Sequence, residues 1–456
     1  MATAPRGVDI GQTLDAGAWT AFQKLVLALA SLAFLVDGIA NQVLGLAVPA
    51  LMRDWGLPRE AFATVTAIGL VGLTIGAAAG GMLGDRLGRR TVLIASVFVF
   101  GAMTVAVAFT HQVSDLFWIR FFDGIGIGAA IPNGAALISE FTPKRRRPLA
   151  IAIGMAFIAI GSVLAGLAAT PLLPTVGWRG LFITLGAIPL ALSLIFFLLL
   201  PESPLYLARH PKRKADLLRV MRRCGLPLAP DSTIIGDDPN AKKAAPLRAI
   251  LEREVRSSTI AVWVAFFFCL LASYTMFSWV PAMLASLGFP LSMTSLGMTA
   301  FSTGGVIGGI VGGWLIERLG SRTAVLGQTA GAIVGALMLA GLVGMGASDI
   351  AILFWALAFM GFFLSGLING LYTLSTLIYP PQVRATGVGS AAAVGRLGAI
   401  VSSYTGPIAL QVGGASGYFF VIAAALAVSF IGVALVNRHI AANQSSPAEQ
   451  KAAAST

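Results

Sequence analysis

Twelve apolar stretches alternate with polar connections along the chain: 22–51, 62–84, 91–110, 114–139, 147–174, 179–200, 258–286, 292–316, 322–346, 349–378, 385–411 and 415–437. At least ten reach the roughly 20 residues that cross a bilayer as an α-helix. The runs are continuous and do not alternate over about ten residues, so helices are predicted rather than barrel strands. The one long polar connection, 201–257, holds 12 Lys and Arg. It separates an N-terminal bundle of six spans (22–200) from a C-terminal bundle (258–437). Within it, 215–223 has the spacing of an amphipathic helix. The polar stretch 1–21 lacks the apolar core of a cleaved signal and reads as an N-terminal tail. The last residues, 438–456, are small and polar and predict a disordered tail.

The halves repeat each other. GGMLGDRLGRR at 80–90 and GGWLIERLGSR at 312–322 share Gly-Gly, Leu, an acid followed by Arg, Leu-Gly and a final Arg, 232 residues apart in a chain of 456. Pro132-Asn133-Gly134, followed by Pro143 and Arg147, has a counterpart in Asn369-Gly370, followed by Tyr379-Pro380-Pro381 and Arg384. Duplicated halves filled with membrane-length runs are the signature of a transporter built from repeats. The expected fold is an all-α membrane protein: twelve transmembrane helices in two pseudo-symmetric six-helix bundles that rock about a central site.

Composition narrows the class. Only 11% of residues are charged and 57% are hydrophobic, against about 25% charged in soluble domains, which excludes a water-facing surface over the whole chain. The net charge of +12 raises nucleic acid as a partner, but 26 of the 31 Lys and Arg lie in the termini and the even-numbered connections. That is the positive-inside pattern. It predicts a multi-pass bacterial inner-membrane protein with both termini cytoplasmic, a lipid bilayer as its setting and no nucleic-acid partner. Two cysteines, Cys224 and Cys269, imply no disulfide framework, and His111, His210 and His439 are scattered. No metal site, no cofactor and no enzymatic chemistry are expected.

Four ionisable side chains fall inside spans: Asp37, Arg120, Asp123 and Arg396. A charge at the bilayer centre costs about 3 kcal/mol on insertion scales, so each needs a partner or a wet cavity. Arg120 and Asp123 stand three residues apart on one helix face, where they can neutralise each other as a structural pair. Asp37 is the leading proton-coupling candidate, with Asp123 beside it, because a carboxyl held in low dielectric can load and release a proton. Arg396, about a dozen residues into its span, is the leading anion anchor, since a guanidinium keeps its charge and grips a carboxylate in two places. Arg120, Gln42, Asn133, Asn369, Tyr274, Trp279 and Tyr404 complete the candidate binding set, with Tyr372 and Phe277 as further aromatics. Each can equally serve helix packing or interhelical hydrogen bonding.

The repeated loops carry a different role. Gly81, Asp85, Arg86, Gly88, Arg89 and Arg90 are candidates for a latch that holds one side of the molecule shut, with Asp85 facing a helix N-terminus. Glu317, Arg318 and Arg322 form the second copy, where Ser321 replaces Arg89 and predicts a weaker latch.

At these residues the chain resembles the aromatic acid:proton symporter branch of the major facilitator superfamily, over about 22–437. The resemblance rests on Asp37-Gly38 with Gln42 and Pro49, the 81–90 loop, and Arg120 with Gly124, Gly126 and Gly128. It continues through Pro132-Asn133, Ser139-Glu140, Pro143 to Arg147, Gly177-Trp178-Arg179, Pro201-Glu202-Ser203-Pro204 and Trp279 with Pro281. Tyr379-Pro380, the run from Arg384 to Gly389, and Gly395-Arg396-Leu397-Gly398 complete it. It implies import of benzoate-like, hydroxybenzoate-like or phenylpropionate-like acids with protons, and puts Asp37 and Asp85 on family aspartates. One departure stands out. The family reads Asp-Gly-aromatic-Asp in its first span, whereas this chain has Asp37-Gly38-Ile39-Ala40. Either Asp123 takes over the missing carboxylate's role, or coupling and substrate preference differ.

The sequence thus predicts a monomeric secondary transporter importing a small aromatic anion with protons. Its rivals are a facilitator for an aliphatic mono- or dicarboxylate, a sugar or an efflux substrate. A membrane sensor or enzyme is a further rival, opposed by the lack of a soluble signalling domain.

Overall fold

The computed structural model describes residues 8–229, 234–235, 247–252, 255–346, 349–379 and 383–436. The 438–456 tail, Pro380-Pro381 and much of 230–254 lie outside the described residues. Ten helices are long and apolar enough to cross a membrane: α2 (Ala21–Trp55), α3 (Glu60–Leu87), α4 (Arg89–Val107), α5 (Val113–Phe141), α6 (Arg147–Leu199), α9 (Arg256–Ser286), α10 (Leu291–Leu319), α11 (Ser321–Gly344), α12 (Ile350–Ile378) and α13 (Arg384–Ala434).

Twelve separate helices were expected, and two pairs are fused. α6 runs for 53 residues and α13 for 51. At about 1.5 Å per residue each is more than twice the roughly 30 Å of a hydrocarbon core. Each is broken once by a glycine at positive φ: Gly177 (φ 66°) in α6 and Gly414 (φ 60°) in α13. Nothing crowds either glycine within 4 Å. Only glycine adopts this conformation without steric cost, so the chain changes direction there without a loop. Counting each broken helix as two segments restores twelve.

The chain forms two compact units, one comprising Met1–Leu51 with Ile68–Lys243, the other Met52–Ala67 with Ala244–Thr456. Two boundaries therefore differ from expectation. The Met52–Ala67 segment groups with the second unit, and the first part of the 201–257 connection folds with the first. The polar 1–21 stretch is also more than a tail. Asp9 caps a short helix, α1 (Ile10–Ala16), by accepting from the Gln12 amide at 3.0 Å. Ile10 and Leu14 bury into one cluster with Leu217, Val220, Met221 and Cys224, the last following α8 (Lys214–Arg223). α7 (Pro204–Ala208) lies between. Two apolar residues four apart are too short a pattern to stand out beside membrane-length runs. Asp15 fastens this assembly, accepting from Arg147 at 2.7 Å and from the Lys144 amide at 3.1 Å.

Glycine seams hold helix pairs together within each unit. A Cβ on Gly72 or Gly76 of α3 would overlap the Phe121 and Ile125 carbonyls of α5, and one on Gly124 or Gly128 would overlap the Gly69 and Leu73 carbonyls of α3. In the second unit Gly304 and Gly308 of α10 meet the Ala358 and Phe362 carbonyls of α12 in the same way. These glycines follow Gly72 and Gly76 by 232 residues, the offset of the repeated loops. Gly38 on α2 and Gly161 on α6 repeat the arrangement against the Ile158 and Leu35 carbonyls. Among lipids no hydrophobic effect pulls helices together, so backbones must approach until packing and Cα–H···O contacts suffice.

Two outcomes follow. Gly76→Val is expected to destabilise the first unit by about 1–3 kcal/mol or to prevent folding, read as a lower melting temperature in detergent, whereas Gly81→Ala, which faces open space, leaves it unchanged. Burial in the α1–α8 cluster pushes the Cys224 thiol up to about 12. In a Cys269→Ser background, maleimide labelling of Cys224 at pH 8 is expected to run about a thousandfold slower than a free thiol, because the thiolate is the reactive species. Mass spectrometry checks this before and after denaturation.

Candidate functional site

The first unit gathers three charged groups in its interior. Asp37 is fully buried on α2. Its Oδ2 accepts from the Asn41 amide at 3.4 Å, and that amide also reaches the Asp37 carbonyl at 3.1 Å. Oδ1 of Asp37 has no partner. On α5, Arg120 donates to Oδ2 of Asp123, so the pair three residues apart does form. Oδ1 of Asp123 and Nε of Arg120 are left buried without partners. The Asp37 and Asp123 carboxyls lie close enough for their charges to interact. From α4 the buried Thr104 hydroxyl faces Asp123 without closing a hydrogen bond. Gln42, next on α2, is buried as well. Nothing in the local sequence pattern singles out Thr104 for this place.

Among the described residues the second unit holds one interior charge. Arg396, on α13, is partly buried, and Tyr372 on α12 lies within its electrostatic range. No carboxylate or hydrogen-bond acceptor among the described residues pairs with it. Tyr372 meets Phe266 of α9 edge-on, with centroids 5.1 Å apart. Tyr274 adjoins Phe277, which adjoins Phe301 at 5.3 Å. Tyr404 is exposed, two turns beyond Arg396. Trp279 is fully buried against Gly406, its indole N–H without an acceptor. Asn369 is exposed and donates to the Gly309 carbonyl at 3.4 Å.

Asn133 belongs elsewhere than among the interior charges. Its amide donates to the Gly80 carbonyl at 2.9 Å and the Ala129 carbonyl at 2.8 Å, and its oxygen accepts from Arg89 at 3.4 Å. It thus ties α5 to the loop between α3 and α4. Arg89 is the hub of that loop. It pairs with Asp85 at 2.5 Å, donates to the Gly81 carbonyl at 3.2 Å and approaches Glu140 at 3.8 Å. Glu140 accepts from the Ser203 hydroxyl, which in turn caps α7 by accepting from the Tyr206 amide at 2.9 Å.

The helix N-terminus expected to face Asp85 is taken by another acid. Oε1 of Glu202 accepts from the Arg90 amide of α4 at 3.0 Å and from the Ser203 amide at 2.9 Å. A Cβ on Gly88 (φ 102°) would strike the Glu202 carboxylate. An acid outcompetes other acceptors at a helix start, where free N–H groups and the helix dipole concentrate positive potential. Glu202 is 112 residues from Arg90, so no local pattern could assign it. A small polar pocket walled by Asp85, Arg89, Glu140, Tyr206 and Arg209 opens beside this network. The second copy holds fewer ion pairs among the described residues. Among the described residues neither Glu317 nor Arg322 forms an ion pair, and Arg318 lies over the Trp314 ring at 4.5 Å.

A duplicated set of membrane-length helices, with charges held inside and an ionic network at one loop, defines a polytopic membrane carrier. The chain belongs to the Major Facilitator Superfamily, whose sequence profile matches residues 30–348 and 262–455; within it the chain matches the aromatic acid transporters. It is 34% identical over 408 residues to the gallate transporter of Pseudomonas putida, covering 89% of this chain and 90% of that one. It is 31% identical to the 3-(3-hydroxy-phenyl)propionate transporter of Escherichia coli, over 82% and 84% of the two chains. Among solved structures, the xylose transporter XylE of E. coli in a partially occluded inward open conformation shares the fold, with a TM-score of 0.71 and 17% identity over 90% of this chain and 98% of that one.

Removing the α4 cap gives a local readout. In Glu202→Ala, hydrogen exchange of the amides at 89–92 is expected to quicken about fivefold, the effect of the ~1 kcal/mol a lost cap costs, while exchange at 321–324 stays unchanged.

Proposed function

We propose that this protein imports a small aromatic carboxylate together with protons, by alternating access. The observation that carries the reading is Arg396. A permanent charge inside an apolar helix is costly to keep, and this one has no counter-charge among the described residues. A substrate carboxylate supplies one, and the guanidinium fork suits it. Tyr372 and Phe266 offer ring faces beside it. Relatives across most of the chain's length, named as carriers of gallate, 4-hydroxybenzoate and benzoate, support an aromatic ring on that carboxylate. Asp37 is the entry point for the coupled proton, being buried with one oxygen unpartnered. The Arg89 network is the latch, and the lack of an ion pair at Glu317 and Arg322 among the described residues fits a weaker second copy. The concentration of Lys and Arg in the even-numbered connections supports a place in the bacterial inner membrane with both termini cytoplasmic.

A sugar would leave Arg396 unanswered, and a lipophilic cation would be repelled by it. A dicarboxylate would need a second free cation, and Arg120 is engaged by Asp123.

Uptake of labelled gallate and 4-hydroxybenzoate into proteoliposomes under an acid-outside gradient tests this. Arg396→Ala is expected to lower transport about thirtyfold or more, as when one partner of a buried charge pair is truncated, and Asp37→Asn to abolish accumulation. Full accumulation in both variants would overturn the assignment.

A further inference from the structure

At one end of the first unit α2 and α6 begin side by side. Leu27 and Ala30 of α2 share a buried cluster with Ala150 of α6, and Trp19, just ahead of α2, packs against it. Two cations lie over the Trp19 ring: the Lys24 ammonium at 5.7 Å and the Arg146 guanidinium at 5.3 Å. The next aromatic, Phe22, carries a third, Arg223 from the end of α8, at 5.6 Å. Phe22 is itself held edge-on by Phe141, with centroids 6.2 Å apart. Rings fixed by the core therefore set where these charges stand. Lys24, Arg146 and Arg223 are exposed, as are Lys144 and Arg145. Among the described residues no carboxylate pairs with Lys24, Arg146 or Arg223. Asp15, which reaches the same connection, is taken by Arg147 at 2.7 Å, and Asp216 of α8 by Arg213 at 3.1 Å.

The surface turns apolar within one turn of these cations. Leu25, next to Lys24, is 45% exposed, and Leu149, three residues past Arg146, is 56% exposed. A small soluble anion would answer the charges and leave both leucines in water. A negatively charged phospholipid answers both, its phosphate against the cations and an acyl chain along the leucines. We propose that Lys24 and Arg146, held on Trp19 with Arg223 close by on Phe22, form a binding site for the headgroup of an anionic phospholipid where α2 and α6 enter the bilayer. The site prefers phosphatidylglycerol to phosphatidylcholine, because the choline ammonium brings a charge that the same cations repel. It lies wholly in the first unit and does not depend on which solute is carried.

Native mass spectrometry of the full-length protein in detergent, titrated with phosphatidylglycerol or phosphatidylcholine of identical chains, reads the preference as a ratio of Kd values. The wild type is expected to favour phosphatidylglycerol by about fivefold for each engaged cation, roughly twentyfold for two. In Lys24→Gln/Arg146→Gln the ratio falls to near one. Lys212→Gln/Arg219→Gln removes the same charge from exposed positions with no described contact to Trp19 or Phe22, and keeps the wild-type ratio. Inorganic phosphate at millimolar concentration leaves the lipid bound. If the double variant does not fold, Arg146→Gln alone, with the ratio cut about fivefold, decides the matter. Equal affinity of the wild type for both lipids, an equal loss in the control pair, or displacement of the lipid by phosphate overturns the inference. None of these outcomes touches the import reading, which uptake measures separately.

Discussion

A full charge inside an apolar helix bundle has to be answered by another charge, and the molecule follows from where that demand is met. In the first unit Arg120 is answered one turn away by Asp123 on the same helix. In the second unit Arg396 is not answered among the described residues. The chain keeps both guanidiniums at a cost of several kcal/mol each if left alone, so the asymmetry between them is informative. One cation is neutralised by the protein itself, and the other is left for something the protein binds. Burial fixes the third group, because Asp37 lies against its neighbours with a single side-chain donor in reach.

Glycine makes such interiors possible. The α3–α5 and α10–α12 seams bring backbones together at equivalent positions of the two halves, leaving little room at the crossings and fixing the direction in which α5 presents Arg120 and Asp123. Gly69 and Gly124 face each other across that crossing, and Arg120 lies beside Gly69. Tight packing and charge placement are therefore one design. The repeat diverged at its loops instead. Arg89 gathers Asp85, Glu140 and Asn133 in the first copy, while Ser321 takes its place in the second, where no ion pair forms at Glu317 or Arg322 among the described residues.

Much of this was legible in the sequence, for reasons specific to each element. Membrane-length runs and the 232-residue repeat gave the helices, the halves and the family, because both signals are long and redundant. The Arg120–Asp123 pair could be read because three residues on a helix bring side chains onto one face. What escaped was long-range or brief. Glu202 reaches the start of α4 across 112 residues of chain, and Asn133 joins the loop network through Gly80 of α3 and Arg89 of α4, contacts that no local pattern reveals. The fused helices escaped because a single glycine at positive φ does the work of a loop. α1 escaped because Ile10 and Leu14 amount to one turn of apolar pattern.

That short helix has a consequence for how the chain is made. Ile10 and Leu14 share a core with Leu217 and Met221, so about two hundred residues must leave the ribosome and six spans must enter the bilayer before that core can close. Closing so long a loop is entropically slow. This helix is thus among the last parts of its unit to gain all its neighbours, and closing its core marks the completion of the N-terminal bundle.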